Sequence, residues 1–419
     1  MDKLLINGGN KIKGTVKISG SKNASLPVLI ATLLTDEPCT ITNVPELYDI
    51  NTCISILEYF GKKIIRSKNT VKVMPGPIKS YTAPYELIKK MRASFLVTGP
   101  LLARYGKIKA SLPGGCAIGV RPVNIHIDGF IKFGAKAGIK QGYVNLSHKK
   151  LQPAKVNLQF PSVGATENLI MFAALIKGDT TITNAACEPE IIDLADFLNS
   201  IGANIKGAGT PVIHIHGVPE LHGTAGYKVI PDRIEAGTYL IGAAITGGEL
   251  LLTETNYKHL QVLLDLLTES GSKISYDDTS IRIKSGKKIK PVNITTQPYP
   301  GFPTDLQAQW MVLMCLAEGQ SILKETVFEN RFMHVPELQR LGAKLIVKND
   351  TVIIEGKSNL TGAQVMVSDL RAGAALVLAG LAARGKTVIS HIYHLDRGYE
   401  NLVAKLRKIN VKIKRDVDN

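Results

Sequence analysis

One cysteine in this chain sits where a thiol can do chemistry. Cys116 lies in Ser111-Leu-Pro-Gly-Gly-Cys116-Ala-Ile-Gly-Val-Arg121-Pro, with three glycines and two prolines around it. Such a segment reads as a solvent-reachable loop with no core to bury the side chain. With Arg121 five residues on, the thiol can have a depressed pKa and act as nucleophile or as acid. Cys39, Cys53, Cys187 and Cys315 stand in apolar helical or strand-like surroundings and read as buried structural thiols.

Four cations recur at equivalent places: Lys22 in GSKNAS, Arg92 in KMRASF, Arg233 in PDRIEAG and Arg371 in DLRAGAA. Each opens a helix, where a positive charge opposes the macrodipole unless an anion shares the site. That anion can be a phosphate or a carboxylate. Asp305 and Asp369 take the same position in their repeats, and each can serve as a general base or simply hold an arginine in place. His214 and His216 alternate on a strand without a third ligand at metal-like spacing, so no metal is expected. There is no GxGxxG after a strand and no GxSxG.

The elements that must position these residues repeat. Strand starts recur at Asp36, Gly106, Gly178, Gly247, Gly319 and Gly385, 66 to 72 residues apart. Helices end at Gly61, Gly134, Gly202, Gly271 and Gly342, with Asn410 in the last position; Gly and Asn tolerate the left-handed C-cap. Ile191, Leu194, Ala195 and Leu198 fall at i, i+3, i+4 and i+7, one buried helical stripe. Ile182 between Thr181 and Thr183, and Val388 between Thr387 and Ile389, show strand habit. Each unit is roughly βαβαββ and about 70 residues long, too small to bury its apolar faces alone, so three and three in two similar lobes is expected. A solenoid would have shorter repeats, usually ~20 to 50 residues.

The loop-rich stretch 217–226 marks a boundary near residue 230. If the units are circularly offset, the first strand, Lys3 to Ile6, joins the C-terminal lobe and the chain crosses between lobes twice. A cleft between lobes is a common small-molecule site.

Composition narrows the class. In 419 residues, 51 Lys and Arg face 35 Asp and Glu, a formal charge of +16 that calls for nucleic acid, a membrane surface or an anionic small molecule. Aromatics are only 6%, too few for a basic face interleaved with stacking rings. Five scattered cysteines without a CxxC pair argue against a disulfide framework or zinc site, and point to a reducing compartment. The N-terminal MDKLLINGGNKIKG has no signal-peptide core, and no apolar run reaches the ~20 residues of a membrane span. A cytoplasmic location is expected.

GSKNAS, MRAS, PGGCAIGVRPV, SVGATEN, EPEIIDLADFLNSIGA, PDRIEAGT, FPTDLQAQ, ETVFENRFMHVPEL, GAQVMVSDLRAGAALVLAG and YHLDRGYENL run end to end. Together they closely resemble the UDP-N-acetylglucosamine 1-carboxyvinyltransferase family. The resemblance implies two inside-out α/β barrel lobes of three βαβαββ repeats each, here 22–229 and 1–21 plus 230–419. It implies transfer of the enolpyruvyl group of phosphoenolpyruvate to the 3-hydroxyl of UDP-N-acetylglucosamine, with release of phosphate through a tetrahedral intermediate, as the first committed step of peptidoglycan synthesis. It implies no cofactor, no metal, no nucleic-acid partner and no membrane association.

By the same resemblance, Cys116 is the proton donor to the methylene carbon, can form a covalent adduct, and is the residue that fosfomycin alkylates. Lys22, Arg121 and Arg397 match the cradle for phosphoenolpyruvate, with Asn23 beside Lys22. Asp305 matches the base or orienting group at the sugar hydroxyl. Arg92, Arg121, Pro122, Val123, Asn124, Ile125, Ser162, Val163, Gly164, Val327 and Phe328 match the stretches that hold the nucleotide sugar. Asp369, Arg331 and Arg371 match charged residues lining the cleft, and Asp369 joins Cys116, Asp305, Lys22 and Arg397 as a catalytic candidate. The Gly-rich loop would deliver the acid as a lid.

Two departures stand out. Where the family often reads RPVDLH, this chain has Asn124, and a lysine often found before SVGAT is replaced by Phe160-Pro161. Altered nucleotide-sugar affinity with the reaction retained is expected. The sister enolpyruvyl transferase of the shikimate pathway lacks the PGGC lid, so Cys116 argues against it. A basic RNA-processing protein with related repeats would account for the charge, and it would bind polyanions with a steep salt dependence.

Overall fold

The computed structural model describes residues 2–112 and 123–417. They form two compact units, one holding residues 2–19 and 231–417, the other 20–112 and 123–230. Among the described residues there are six four-stranded sheets of one common order. In each, the second strand is the one whose start repeats along the sequence: Cys39–Thr42, Lys107–Ser111, Gly178–Thr183, Glu249–Thr253, Ser321–Lys324 and Lys386–Ser390. It takes a parallel neighbour on one side and an antiparallel pair of strands on the other, as Gly178–Thr183 does with Lys155–Asn157 and with Val212–Gly217.

Closure of each unit is not local. Lys3–Asn7 pairs antiparallel with both Lys386–Ser390 and Lys412–Asp416, matching Leu4 to Ile389 and to Arg415. Lys13–Lys17 runs parallel to Glu249–Thr253, and Thr224–Lys228 runs parallel to Cys39–Thr42. The chain therefore leaves one unit after Ser19 and returns to it at Pro231.

Burial explains the layering. In Gln307–Cys315 all nine residues are buried, and in Leu370–Ala382 eleven are. A helix apolar on every side has to be interior. These two pack against each other and against Arg233–Thr246, and the strands around them alternate more and less buried residues, as in Ser280–Lys284. Helices thus lie inside and sheets outside. Trp310, fully buried among them, would cost roughly 3–5 kcal/mol if cut to alanine.

The second unit is built alike. Val163–Ala173 packs on Thr98–Tyr105, and the turn Arg92–Val97 lies against both Val163–Ala173 and Lys22–Ala31. The first contact is close enough that a Cβ on Gly99 would fall 2.3 Å from Asn168 Oδ1. The expected helix ends are left-handed, with φ from 109° at Gly61 to 70° at Asn410. No helix among the described residues is long and apolar enough to cross a membrane.

Candidate active site

In the unit that holds residues 231–417, charged side chains gather at the start of the central helices. Asp305 sits in the short turn Thr304–Leu306 that leads into Gln307–Cys315. Arg371 is the second residue of Leu370–Ala382, whose first amides are capped by Asp369: its Oδ1 accepts from Arg371 N at 2.9 Å and from Ala372 N at 3.1 Å. Arg371 Nη2 donates to Asp305 Oδ2 at 2.8 Å, and Arg331 Nη2 donates to Asp305 Oδ1 at 2.9 Å. One carboxylate thus receives a guanidinium on each oxygen, and both arginines are only 5% exposed. Burial works against the Arg371 charge, but Asp305, Tyr399 and Asp232 outweigh it and hold its pKa above the ordinary value.

Neighbouring segments brace this group. Glu325, buried, accepts from Thr296 Oγ1, Thr304 Oγ1 and Val327 N, each at 2.8 Å, and from Phe328 N at 3.1 Å. The turn that carries Val327 and Phe328 is tied in this way to Thr304, next to Asp305. The Arg331 guanidinium lies 5.6 Å from the Phe328 ring centre. His334 is buried, and that burial pulls its pKa down to about 4, with Asp369 opposing and Arg331 reinforcing. Arg397 ends the turn Ile392–Arg397; it and Asp369 act in opposite directions on His394.

The other unit carries a second cluster. Lys22 is the first residue of Lys22–Ala31, and Ser21 caps that helix by accepting from Ala24 N at 3.3 Å. Lys22 Nζ is 3.4 Å from Asp49 Oδ2. Asn23 is half-buried beside it. Arg92 begins the turn Arg92–Val97 and lies close enough to His126 to help suppress its charge; burial does most, bringing the pKa down to about 3. Asn168 Oδ1 accepts from Gly99 N at 2.7 Å, so its Nδ2 donates to His126 Nδ1 at 3.0 Å and the imidazole proton resides on Nε2. Gly164 abuts the ring, where a Cβ would be 3.5 Å from His126 Cε1. Ser162 caps Val163–Ala173 by accepting from Ala165 N at 3.3 Å. Burial, then Glu190 and Glu188, push the Glu167 carboxyl well above its ordinary value.

The sequence-derived candidates therefore fall into two sets. Asp305, Arg331, Arg371 and Asp369 meet directly or through one backbone contact, with Val327, Phe328 and Arg397 nearby. Lys22 with Asn23, and Arg92 with Ser162, Val163 and Gly164, belong to the other set, together with Val123, buried, Ile125, half-buried, and Asn124, exposed at the first position of Asn124–Lys132. Cys116, Arg121 and Pro122 lie outside the described residues.

Beside Lys22 and Arg371 stands a carboxylate of the protein itself, Asp49 and Asp305. Other expectations change. Arg92 opens a 3-10 turn rather than an α-helix. Asp369 shares its capping role with Asp232, whose Oδ1 accepts from Ile234 N and Glu235 N at 2.9 Å, whereas Asp305 lies within the turn Thr304–Leu306. Cys187 is half-buried in the loop before Pro189–Ser200, not core. Sequence reasoning missed Asp49, Glu325, Tyr399 and Asn168. Only Asp49 carried a local signal, an acid in the first turn of Tyr48–Tyr59.

The EPSP synthase family (3-phosphoshikimate 1-carboxyvinyltransferase) matches residues 6–406. The chain is 55% identical over 415 residues to the UDP-N-acetylglucosamine 1-carboxyvinyltransferase of Endomicrobium trichonymphae, covering 99% of both. It is 52% identical over 415 residues to the enzyme of that name from Geotalea uraniireducens, again covering 99% of both. Among solved structures, the enolpyruvyl transferase NikO from Streptomyces tendae superposes with a TM-score of 0.90 at 26% identity, over 100% of this chain and 99% of that one. An EPSP synthase from Acinetobacter baumannii shares the fold, with a TM-score of 0.79 at 19% identity over 100% of both chains.

Proposed function

The chain belongs to the UDP-N-acetylglucosamine 1-carboxyvinyltransferases, within the wider enolpyruvyl transferase family, and on that premise we propose how its residues divide the work. It transfers the enolpyruvyl group of phosphoenolpyruvate to the 3-hydroxyl of UDP-N-acetylglucosamine and releases phosphate, a step of peptidoglycan synthesis. In the proposed course, the Cys116 thiol gives its proton to the methylene carbon, leaving an oxocarbenium-like centre at C2. The sugar hydroxyl oxygen bonds to C2 as its proton departs, giving a tetrahedral phosphate-bearing intermediate. The C2–O bond to phosphate then breaks, and loss of a methyl proton restores the double bond.

Lys22, Arg121 and Arg397, with Asn23, match the phosphate and carboxylate charges of phosphoenolpyruvate. Arg92, the 121–125 run, Ser162 to Gly164, and Val327 with Phe328 hold the nucleotide sugar, and Asp369 supports the charged group around Arg371. Asp305 orients the sugar hydroxyl. The observation that carries this assignment is its carboxylate, with Arg331 on one oxygen and Arg371 on the other. A carboxylate oxygen can accept more than one hydrogen bond, and the arginines hold the plane of the group. Fosfomycin alkylation of Cys116 and a cytoplasmic location are part of the same proposal.

The test is phosphate release from phosphoenolpyruvate with and without UDP-N-acetylglucosamine, in wild type and Cys116→Ser. Release should require the nucleotide sugar and should collapse in the variant. Release without the sugar, or a fully active variant equally sensitive to fosfomycin, defeats the mechanism.

A further inference from the structure

We propose that Tyr399 is a positioning residue for the transfer reaction, locking the Arg371 guanidinium against Asp305 through a hydrogen-bond chain of fixed direction. The inference rests on the reading that Asp305 orients the sugar hydroxyl. The Tyr399 hydroxyl lies 3.0 Å from Thr238 Oγ1, 3.3 Å from Gln309 Nε2 and 3.5 Å from Arg371 Nη1. All four residues are buried, Gln309 completely.

Chemistry assigns every role. Guanidinium and amide nitrogens only donate, so the phenolic oxygen accepts from Arg371 and shares a Gln309 N–H with Thr238 Oγ1, which lies 3.3 Å from Gln309 Nε2. Its own proton then goes to Thr238 Oγ1, whose hydroxyl in turn donates to Ile234 O at 2.8 Å. The chain runs one way, from Arg371 through Tyr399 and Thr238 to the backbone of Arg233–Thr246. Gln309 Nε2 also donates to Asp305 O at 3.1 Å. Tyr399 thus touches the guanidinium directly and, through Gln309, the backbone of the residue that guanidinium grips.

Thr238, Gln309 and Arg371 come from the three central helices of this unit, and the tyrosine hydroxyl is where they meet. Packing alone does not call for this hydroxyl, since phenylalanine would fill the same space. What the hydroxyl adds is a seat for one arm of Arg371 while the other arm holds Asp305. A misplacement of the oriented group by about 1 Å can cost on the order of 100-fold in rate.

The test is steady-state kinetics of Tyr399→Phe with both substrates. The expected result is a kcat about 10- to 100-fold lower, with both KM values within about threefold of wild type. In an Arg371→Lys background the substitution should add little, because residues acting through one contact are not additive. Thr238→Val, which removes the acceptor that turns the phenolic proton away from Arg371, should give the same kcat-selective fall and serves if Tyr399→Phe does not fold. A kcat within twofold of wild type in these variants, or full additivity with Arg371→Lys, overturns the proposal. Asp305→Asn separates the two levels. Normal turnover there defeats the reading of Asp305, whereas an inactive Asp305→Asn beside an unimpaired Tyr399→Phe defeats only the role of Tyr399.

Discussion

Lys22 Nζ lies 3.4 Å from Asp49 Oδ2, with 12% of the lysine side chain and 3% of the aspartate side chain exposed. The lysine opens a helix, so the carboxylate offsets both its burial and the dipole it opposes. Asp49→Asn should destabilise the protein by about 1–3 kcal/mol, because a largely buried ammonium loses a charged partner. It should also raise KM for phosphoenolpyruvate threefold or more while KM for the nucleotide sugar stays put. Urea midpoints and both KM values unchanged from wild type would remove Asp49 from the site.

Asn124 is the exposed first residue of Asn124–Lys132, a helix with no acid in its first turn. Asn124→Asp should add about 0.3–1 kcal/mol through the helix dipole. Together with Phe160→Lys, at a side chain 41% exposed, it should change KM for UDP-N-acetylglucosamine and leave kcat nearly as it was. A nucleotide-sugar KM identical to wild type in the double variant refutes this.

Buried titratable groups set opposing pH trends. Burial pulls His126 down to about 3 and His334 to about 4 from an ordinary 6.5. The unfolded chain therefore takes up protons that the folded one refuses, and stability falls as pH drops from about 6.5 toward 4. Asp193 runs the other way: burial raises its pKa from 3.8 to about 7, so the folded state keeps a proton that the unfolded state sheds, and stability is lost as pH rises through that window. Asp193→Asn should gain on wild type across the same range, on the order of 2–4 kcal/mol in all. Denaturant melts at several pH values would show it, and a stability difference flat with pH would contradict it.

Thiol reactivity follows burial. Cys53 and Cys315 are pushed up to about 12 by burial, and Cys39 and Cys187 are raised for the same reason. Brief iodoacetamide treatment of the native enzyme, read by peptide mass mapping, should leave these four unlabelled and place any fast label on Cys116. Rapid modification of Cys53 or Cys315 would contradict the burial argument.

The repeats were readable in the chain because their signals are local. Periods of 3.6 and 2, a capping residue and a left-handed glycine or Asn410 all act within a few positions. The site was readable as residue types, but its pairings were not. Asp305 meets Arg371 from 66 residues away and Arg331 from 26, and Lys22 meets Asp49 from 27. Spacing of that kind has no period to detect. Tyr399 gave no signal because its value lies in three helices converging on one hydroxyl.

Six units, their capped helices and strands, and the helix-opening places of Lys22, Arg233 and Arg371 were legible in the chain, since these follow from short-range sterics and amphipathicity. Tertiary structure alone decided that Lys3–Asn7 closes the last sheet between Lys386–Ser390 and Lys412–Asp416, and that protein carboxylates answer Arg371 and Lys22. The physical reason is shared: strand closure and buried ion pairing both depend on which distant segments the packed core brings within about 3 Å of each other.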